Sequence, residues 1–308
     1  MTERVLRVGT RGSALALAQS AAVAAAVAET AGATTELVRV KTEGDVNTGP
    51  LAAIGGTGIF VTAVRAALAD GRVDLIVHSF KDLPTANAPG LALAAVPARE
   101  DPSDALCARD GRTLATLPSG ARIGTGSPRR AAQLLLRRPD LRVLPVRGNV
   151  DTRLRMVADG RLDGVVLAVA GLARLGRTDA ITQTLGPDVM LPAPAQGALA
   201  VECRRADLET AWYAAAVHAL DDADSRAAVA AERALLAALE AGCIAPVGAR
   251  ATVADGRLTL TGAVIAVDGT ARVAGDRSGP AADAAAIGRD LALDLLSRGA
   301  TELLWATR

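Results

Sequence analysis

The sequence predicts an α/β fold with largely parallel sheets, since short apolar runs alternate with longer helical runs along most of the chain. The 308 residues, 50% of them hydrophobic and 22% charged, suffice for two or three globular domains. A turn-rich segment at 98–102 and a proline-rich segment at 191–197 predict that the chain crosses twice between two hinged lobes. Aromatic residues make up only 2%, so the core is expected to consist of Ala, Val and Leu.

The N-terminal region contains the first βαβ pattern. Ser13 is the expected N-cap of an alanine-rich helix. Strands are predicted at 5–9, 36–41 and 73–78, and helices at 13–30 and 59–70. Segment 42–58 contains five glycines and no periodicity, which predicts a lid loop.

The alternation of strands and helices restarts after the turn-rich segment 98–102 and changes character near the C-terminus. Strands are predicted from 122 and at 142–146, 164–170 and 198–203, with helices from 128 and 151. The C-terminal part is predicted to hold a helix at 222–241 stopped by Gly242, strands at 247–253, 258–267 and 270–273, and a helix at 281–298. These patterns predict three domains: 1–98 with 198–220, 99–197, and a small α+β domain at 221–308.

Composition argues against several kinds of partner. The scarcity of aromatic residues disfavours single-stranded nucleic acid, which needs stacking platforms. The apolar stretch 14–28 is interrupted by Gln19 and Ser20 and is expected to be too short and too weak to span a bilayer, and 1–13 shows no signal-peptide pattern. Three cysteines without CxxC spacing, and His218 without neighbouring ligands, predict no metal site. A cytoplasmic protein is expected.

Positive charge is concentrated in one part of the chain. The net charge is +1, yet residues 121–180 contain 12 Arg against 5 Asp and no Glu, a local excess of 7. Such a segment predicts an anionic partner. Of the 34 basic residues only Lys41 and Lys81 are lysine, which genomic composition bias explains, although a retained lysine can also serve as a titratable ammonium.

Three strand-to-helix junctions combine Gly or Ser turns with arginine, at 10–13, 124–130 and 147–153. Helix N-termini and guanidinium groups bind oxyanions, so the three junctions together predict anion sites, whereas one alone would be ordinary surface. Phosphate and carboxylate both remain candidates. The Gly-x-Gly at 124–126 lacks the third glycine of a dinucleotide fingerprint.

Asp82 directly follows the predicted strand at 73–78 and stands between Lys81 and a Pro turn. Ligands of open α/β sheets bind at the carboxyl ends of strands, so Asp82 is a candidate acid or base, with a surface ion pair to Lys81 as the alternative. His78 closes an apolar run and is expected to be a core residue rather than a ligand.

Cys243 follows Gly242 in a predicted loop, whereas Cys107 and Cys203 lie in apolar strand runs and are expected to be buried and inert. The end of a helix raises the pKa of a nearby thiol. Cys243 is therefore expected to be an attachment point or a chance loop cysteine rather than a thiolate nucleophile.

Taken together, nine ordered segments resemble the porphobilinogen deaminase (hydroxymethylbilane synthase) family. They are 8–13 (VGTRGS), 44–45 (GD), 55–60 (GGTGIF), 77–84 (VHSFKDLP), 124–130 (GTGSPRR), 144–149 (LPVRGN), 167–176 (LAVAGLARLG), 195–198 (AQGA) and 240–246 (EAGCIAP). The part after about residue 247 matches least.

This resemblance implies two domains like type II periplasmic binding proteins with a cleft between them, plus a third small domain. It implies a monomeric transferase that joins four porphobilinogen molecules into hydroxymethylbilane and releases ammonia. It also implies a dipyrromethane cofactor bound through a thioether to Cys243, with Asp82 as a buried catalytic carboxylate. The implied cofactor-binding residues are Lys81, Asp82, Ser79, Thr125, Ser127, Arg129 and Arg130, and the implied substrate-binding residues are Arg11, Arg147, Arg153, Arg174, Ser13 and Gln19, with Gln196 in a hinge motif.

Two positions depart from the family pattern. Thr57 stands where the glycine-rich loop usually carries Lys, which puts a lid contact in doubt, and Gly126 replaces a frequent Ser. The alternative function is a non-catalytic, bilobal protein that binds anions or carboxylates. This alternative explains the arginines but requires neither Cys243 nor Asp82. Intact mass would distinguish the two, because only the enzyme, with its bound cofactor, should be heavier than its sequence.

Overall fold

The computed structural model describes residues 4–41, 58–241 and 245–305. The chain divides into two compact units, the first formed by residues 1–99 with 198–226 and the second by 100–197 with 227–308. The predicted lid residues 42–57, including Thr57, and the candidate attachment residue Cys243 lie outside the described residues. The division into three domains stays a prediction.

Strands and helices alternate through most of the described chain. The strands are β1 Val5–Thr10, β2 Thr34–Arg39, β3 Leu75–Ser79, β4 Leu91–Ala95, β5 Asp104–Ala108, β6 Arg122–Gly124, β7 Arg142–Leu144, β8 Gly164–Ala168, β9 Gln183–Leu185, β10 Leu199–Arg204, β11 Val247–Ala254, β12 Arg257–Ile265 and β13 Arg272–Pro280. The helices are α1 Ala14–Ala31, α2 Gly58–Ala69, α3 Pro128–Arg137, α4 Val150–Ala158, α5 Val169–Arg174, α6 Ala214–His218, α7 Ala223–Ala238, α8 Ala284–Ser297 and α9 Ala300–Trp305.

Two five-stranded sheets share one topology. The first has the order β2-β1-β3-β10-β4 and the second β7-β6-β8-β5-β9. In the first, β1 is parallel to β2 and β3, and β10 is antiparallel to its neighbours; in the second, β6 is parallel to β7 and β8, and β5 is antiparallel. A third, antiparallel sheet has the order β11-β12-β13. The predicted fold class, two type II α/β domains with a small α+β part, is confirmed.

Local sequence explains α1 well. Ser13 caps it by accepting a hydrogen bond from Ala16 N at 3.3 Å, and Gly32 ends it with a left-handed φ of 62°. Val23 and Val27 pack into the core of the first unit. The expectation that this stretch is too short to span a membrane is corrected. The helix extends past residue 28 to Ala31, and its 18 residues are long and apolar enough to cross a membrane by length and composition alone. A buried core helix meets the same criterion.

Elements held by tertiary contacts were predicted less well. β8 ends at Ala168, where α5 begins, although the apolar run predicted a strand to residue 170. β13 has nine residues rather than the predicted four, because its exposed polar side chains hide the strand pattern while pairing with β12 defines it. α7 ends at Ala238, and Glu240 beyond it has a left-handed φ of 49°.

Candidate active site

The turn after β3 exposes one carboxylate between anchored apolar residues. Phe80 N donates to Ala198 O at 3.0 Å, and Leu83 N donates to Phe80 O at 3.1 Å. Phe80 and Leu83 are buried, Lys81 is half-buried and Asp82 is exposed. The expectation that the Asp82 carboxylate is buried is therefore wrong within the described residues, because the short 3₁₀ turn buries Phe80 and leaves Asp82 exposed. Its catalytic role stays a prediction.

Three further predicted residues lie in the first unit, and one of them contacts the end of β3. Gln19 on α1 is buried, and its Nε2 donates to Ser79 Oγ at 2.9 Å. Arg11 and Ser13 are half-buried at the junction between β1 and α1, where Ser13 already serves as the N-cap. The first unit thus places Ser79, Lys81 and Asp82 at the carboxyl end of β3.

A buried ion group lies directly before the turn. Arg65 Nη2 donates to Glu202 Oε1 at 2.6 Å and Arg65 Nε donates to Glu202 Oε2 at 2.9 Å. His78 Nε2 lies 3.2 Å from Glu202 Oε2. Burial would raise the pKa of Glu202, but His78 and Arg65 lower it to about 2. The prediction that His78 is a core residue is confirmed, since its side chain is buried in this group.

In the second unit, two hydroxyl groups accept hydrogen bonds from main-chain N–H groups at the junction between β6 and α3. Ser127 caps α3 by accepting from Arg130 N at 3.4 Å, and Ser127 N donates to Thr125 Oγ1 at 3.1 Å. Pro128 occupies the first turn, as predicted. Thr125 is buried and Ser127 half-buried.

Asp104 at the start of β5 is fully buried and binds both arginines of α3. Arg129 Nη1 donates to Asp104 Oδ2 and to Leu191 O at 2.7 and 2.6 Å. Arg130 donates to Asp104 Oδ1 through Nε at 2.9 Å and Nη2 at 2.7 Å, and its Nη1 donates to Val166 O at 3.0 Å. Asp104, Arg129 and Arg130 are called the buried arginine cluster below.

Positive charge exceeds negative charge in this cluster. Burial would raise the pKa of Asp104, but the charges of Arg129 and Arg130 hold it well below its ordinary value. Burial and the neighbouring Arg130 lower the pKa of Arg129, although Asp104 opposes them. One carboxylate therefore faces two guanidinium groups, and an anion would offset the remaining charge.

Arg153, on α4, adds a further cation to this region. Its Nε donates to Gly148 O at 2.8 Å. Burial and the charge of Arg130 lower the pKa of Arg153. The positive charges of Arg130 and Arg153 are thus close enough to interact, as is expected for an anion site.

The remaining predicted arginines are placed differently. Arg147 is exposed in the loop before α4. Arg174 is half-buried and its Nη2 donates to Gly197 O at 2.7 Å, while burial lowers its pKa and Glu100 opposes that effect. Both remain predicted substrate-binding residues.

The cysteines within the described residues behave as predicted. Cys107 and Cys203 are buried, and burial raises the pKa of each thiol to about 11. Within residues 4–41, 58–241 and 245–305, no three His, Cys, Asp or Glu side chains form a group that would hold a metal ion.

Two family models match the chain. Residues 6–211 match the model described as porphobilinogen deaminase, dipyrromethane cofactor binding domain. Residues 227–297 match the model described as porphobilinogen deaminase, C-terminal domain.

Known proteins are similar over almost the whole chain. Porphobilinogen deaminase 1 of Streptomyces coelicolor is 52% identical, covering 99% of this chain and 98% of that protein. Porphobilinogen deaminase of Leifsonia xyli is 54% identical over 97% of this chain and 94% of its own length. Among solved structures, a periplasmic substrate-binding protein of an ABC transporter from Coxiella burnetii matches with a TM-score of 0.45 and 16% identity, covering 70% of this chain and 91% of that chain.

The Glu202 group generates a prediction on acid stability. Its folded-state pKa of about 2 is below its ordinary value of 4.5, so its contribution is present above pH 4.5 and is lost as the pH falls toward 2. Glu202→Gln should lower the free energy of unfolding at pH 7 by about 3 kcal/mol, and the gap to wild type should narrow between pH 4.5 and pH 3. Urea unfolding at pH 7, 4.5, 3.5 and 3 measures it.

Glu29→Gln, at an exposed position of α1, is the matched control, and its free energy of unfolding should equal that of wild type at every pH. A gap for Glu202→Gln that stays constant down to pH 3 would contradict the ion-group interpretation.

Proposed function

Because this chain belongs to the porphobilinogen deaminase family, we propose that Asp82 supplies its catalytic carboxyl group and Cys243 its cofactor attachment point. The chain is a transferase of tetrapyrrole biosynthesis that joins four porphobilinogen molecules into hydroxymethylbilane and releases ammonia. It carries a dipyrromethane cofactor. The observation that carries our assignment of the binding groups is the excess of positive charge around buried Arg130 and half-buried Arg153.

Substrate and product are polyanions, because every pyrrole carries an acetate and a propionate group. Guanidinium groups bind carboxylates through paired hydrogen bonds. Arg153 suits this role, since its Nε is held by Gly148 O and the rest of its guanidinium makes no hydrogen bond within the described residues. Arg11, Arg147, Arg174, Ser13 and Gln19 complete the proposed substrate-binding set.

The residues present fit a resident group that bears carboxylates. The buried arginine cluster has one positive charge in excess, which a bound carboxylate would offset. The cofactor would be held by Lys81, Ser79, Asp82, Thr125, Ser127, Arg129 and Arg130. A thioether to Cys243 would keep it attached through every turnover. When bound, the cofactor supplies the pyrrole to which the first substrate unit is joined.

Asp82 would act on the substrate in two ways. Its carboxyl group can deliver a proton to the departing amine of porphobilinogen. Loss of ammonia leaves a cationic azafulvenium on the substrate, and the carboxylate can then face that cation. At 4 Å and an effective dielectric constant of about 20, the attraction is about 4 kcal/mol before desolvation. The exposed position of Asp82 on its turn leaves the carboxyl group accessible to substrate.

The proposal also includes a monomer in the cytoplasm that acts on a small molecule without nucleic acid or membrane partners. The charge excess lies at the buried hydrogen bonds between Arg130 and Asp104 rather than on an open face, which supports a small anionic ligand.

The first prediction concerns Cys243. Purified wild type should exceed its sequence mass by one two-pyrrole unit, and Cys243→Ser should lose that excess because the thioether cannot form. Intact-mass spectrometry and a pyrrole colour reagent measure both properties. Cys107→Ser and Cys203→Ser are matched controls that should keep the excess, since both thiols are buried in strands. An active wild type without added mass would rule out the assignment and favour the non-catalytic anion-binding alternative.

A second prediction concerns Asp82. Asp82→Asn removes the transferable proton and the charge, so the rate should fall by about 10²–10⁴-fold or more. Asp82→Glu keeps the chemistry but displaces the carboxyl group, at a cost of about 10²-fold. Hydroxymethylbilane formation by folded, cofactor-bearing variants measures both. Near-wild-type turnover of Asp82→Asn would assign Asp82 to a surface ion pair instead.

A third prediction concerns Arg153. Arg153→Leu should impair elongation, since loss of a buried charge partner costs about 2–5 kcal/mol in binding, and Arg153→Lys should restore it only in part. Arg155→Leu, at an exposed position of the same helix, should leave the steady-state constants unchanged. Equal effects at the two positions would show that the helix, and not the guanidinium group of Arg153, affects elongation.

A further inference from the structure

Glu232 on α7 is a fully buried carboxylate in the second unit. Its Oε2 accepts a hydrogen bond from Ala195 N at 2.6 Å, and its Oε1 accepts one from Ala251 N at 2.7 Å. Burying a carboxylate is costly unless hydrogen bonds compensate, and both oxygens are used here. The bond to Ala195 fixes the segment that precedes β10.

Ala195 has an unusual backbone conformation. Its φ of 63° lies in the left-handed region, which an alanine adopts only at an energetic cost. The hydrogen bond from Ala195 N to Glu232 and one from Gln196 N to Ala193 O at 2.9 Å hold the turn in place. The turn in turn determines where the next side chain lies.

That next side chain is Gln196, which is buried against the arginine cluster. Its Nε2 donates to Asp104 Oδ1 at 2.9 Å and to Pro102 O at 2.7 Å. Asp104 Oδ1 therefore accepts from Gln196 as well as from Arg130. Because the amide is neutral, it orients Asp104 without cancelling the positive charge of the cluster.

We infer that Glu232 and Gln196 are positioning residues for the anion-binding arginines. Glu232 holds Ala195 in its left-handed turn, the turn delivers the Gln196 amide to Asp104, and Asp104 orients Arg130 while one positive charge stays available to an anionic ligand. This inference rests on the proposed function, because it takes the ligand to be the carboxylates of the cofactor and of porphobilinogen.

Gln196→Glu and Gln196→Met provide the main test, since both remove the amide but only Glu can add a charge. The new carboxyl group would face Asp104 from β5 and Arg129 and Arg130 from α3. A carboxylate beside Arg129 and Arg130 would cancel the excess positive charge of the cluster, so KM for porphobilinogen should rise by about tenfold or more with little change in kcat.

Steady-state kinetics of the cofactor-bearing enzymes measures this effect. The ratio of the variant KM to the wild-type KM should be larger for Gln196→Glu than for Gln196→Met, with little change in kcat for either. Intact mass gives a second readout: Gln196→Glu should carry less of the two-pyrrole unit than Gln196→Met. Equal KM ratios for the two variants, with equal cofactor loading, would overturn the inference.

Glu232→Gln tests whether Glu232 acts on the cluster through the turn at Ala195. It leaves one backbone N–H without its acceptor, so KM should rise, and adding Ala195→Gly should lower KM again because glycine adopts a positive φ without penalty. Asp224→Asn, at an exposed position of α7, is the matched control. Failure of Ala195→Gly to reduce the effect in a folded double variant would exclude the turn as the link.

If Glu232→Gln does not fold, the Gln196 pair decides the question alone. A wild type that forms no hydroxymethylbilane would refute the proposed function, whereas an active wild type with unaffected variants would refute only this inference.

Discussion

The hydrogen bonds that converge on Asp104 determine the arrangement of the second unit around its arginines. One buried carboxylate joins the start of β5 to the first turn of α3 and to the segment before β10. Without it, two guanidinium groups would lie buried beside each other with only main-chain acceptors. Removal of Asp104 would thus disturb the strand, the helix and the crossing segment together, as is usual when one partner of a buried ion group is lost.

The first unit uses the same physical arrangement for a different purpose. Glu202 on β10 joins Arg65 on α2 to His78 on β3, so the strand that leads to the exposed turn is fixed by a buried ion group. In both units, a buried carboxylate joins sheet and helix through an arginine. The rigid support lies beneath the surface, and the groups proposed to meet substrate, Asp82 and Arg153, are less buried than their supports.

Local features were predictable and distant partners were not. Ser13 as a helix cap, Ser127 before Pro128 and the burial of Cys107 follow from neighbouring residues. Asp104 and Glu202 were missed because each stands in an apolar strand run, and their partners lie 25 or more positions away. Arg129 and Arg130 were predicted to bind an anion from their place at a helix start, a role that stays a prediction. That Asp104 binds both of them depends on the pairing of strands. The exposure of Asp82 depends likewise on the turn geometry, which apolar neighbours did not reveal.

The charge excess of the buried arginine cluster has a thermodynamic consequence for the life of the chain. A ligand that binds only the folded state stabilises that state, and the stabilisation rises with the logarithm of the ligand concentration relative to its Kd. Since an anion would offset the excess around Arg129 and Arg130, a newly folded chain without one would populate locally unfolded states more often. Proteases act on such states, so a cell that lacks the ligand would remove the empty protein faster than the filled one. Binding of the ligand at this cluster would thereby also link the abundance of the protein to the supply of that ligand.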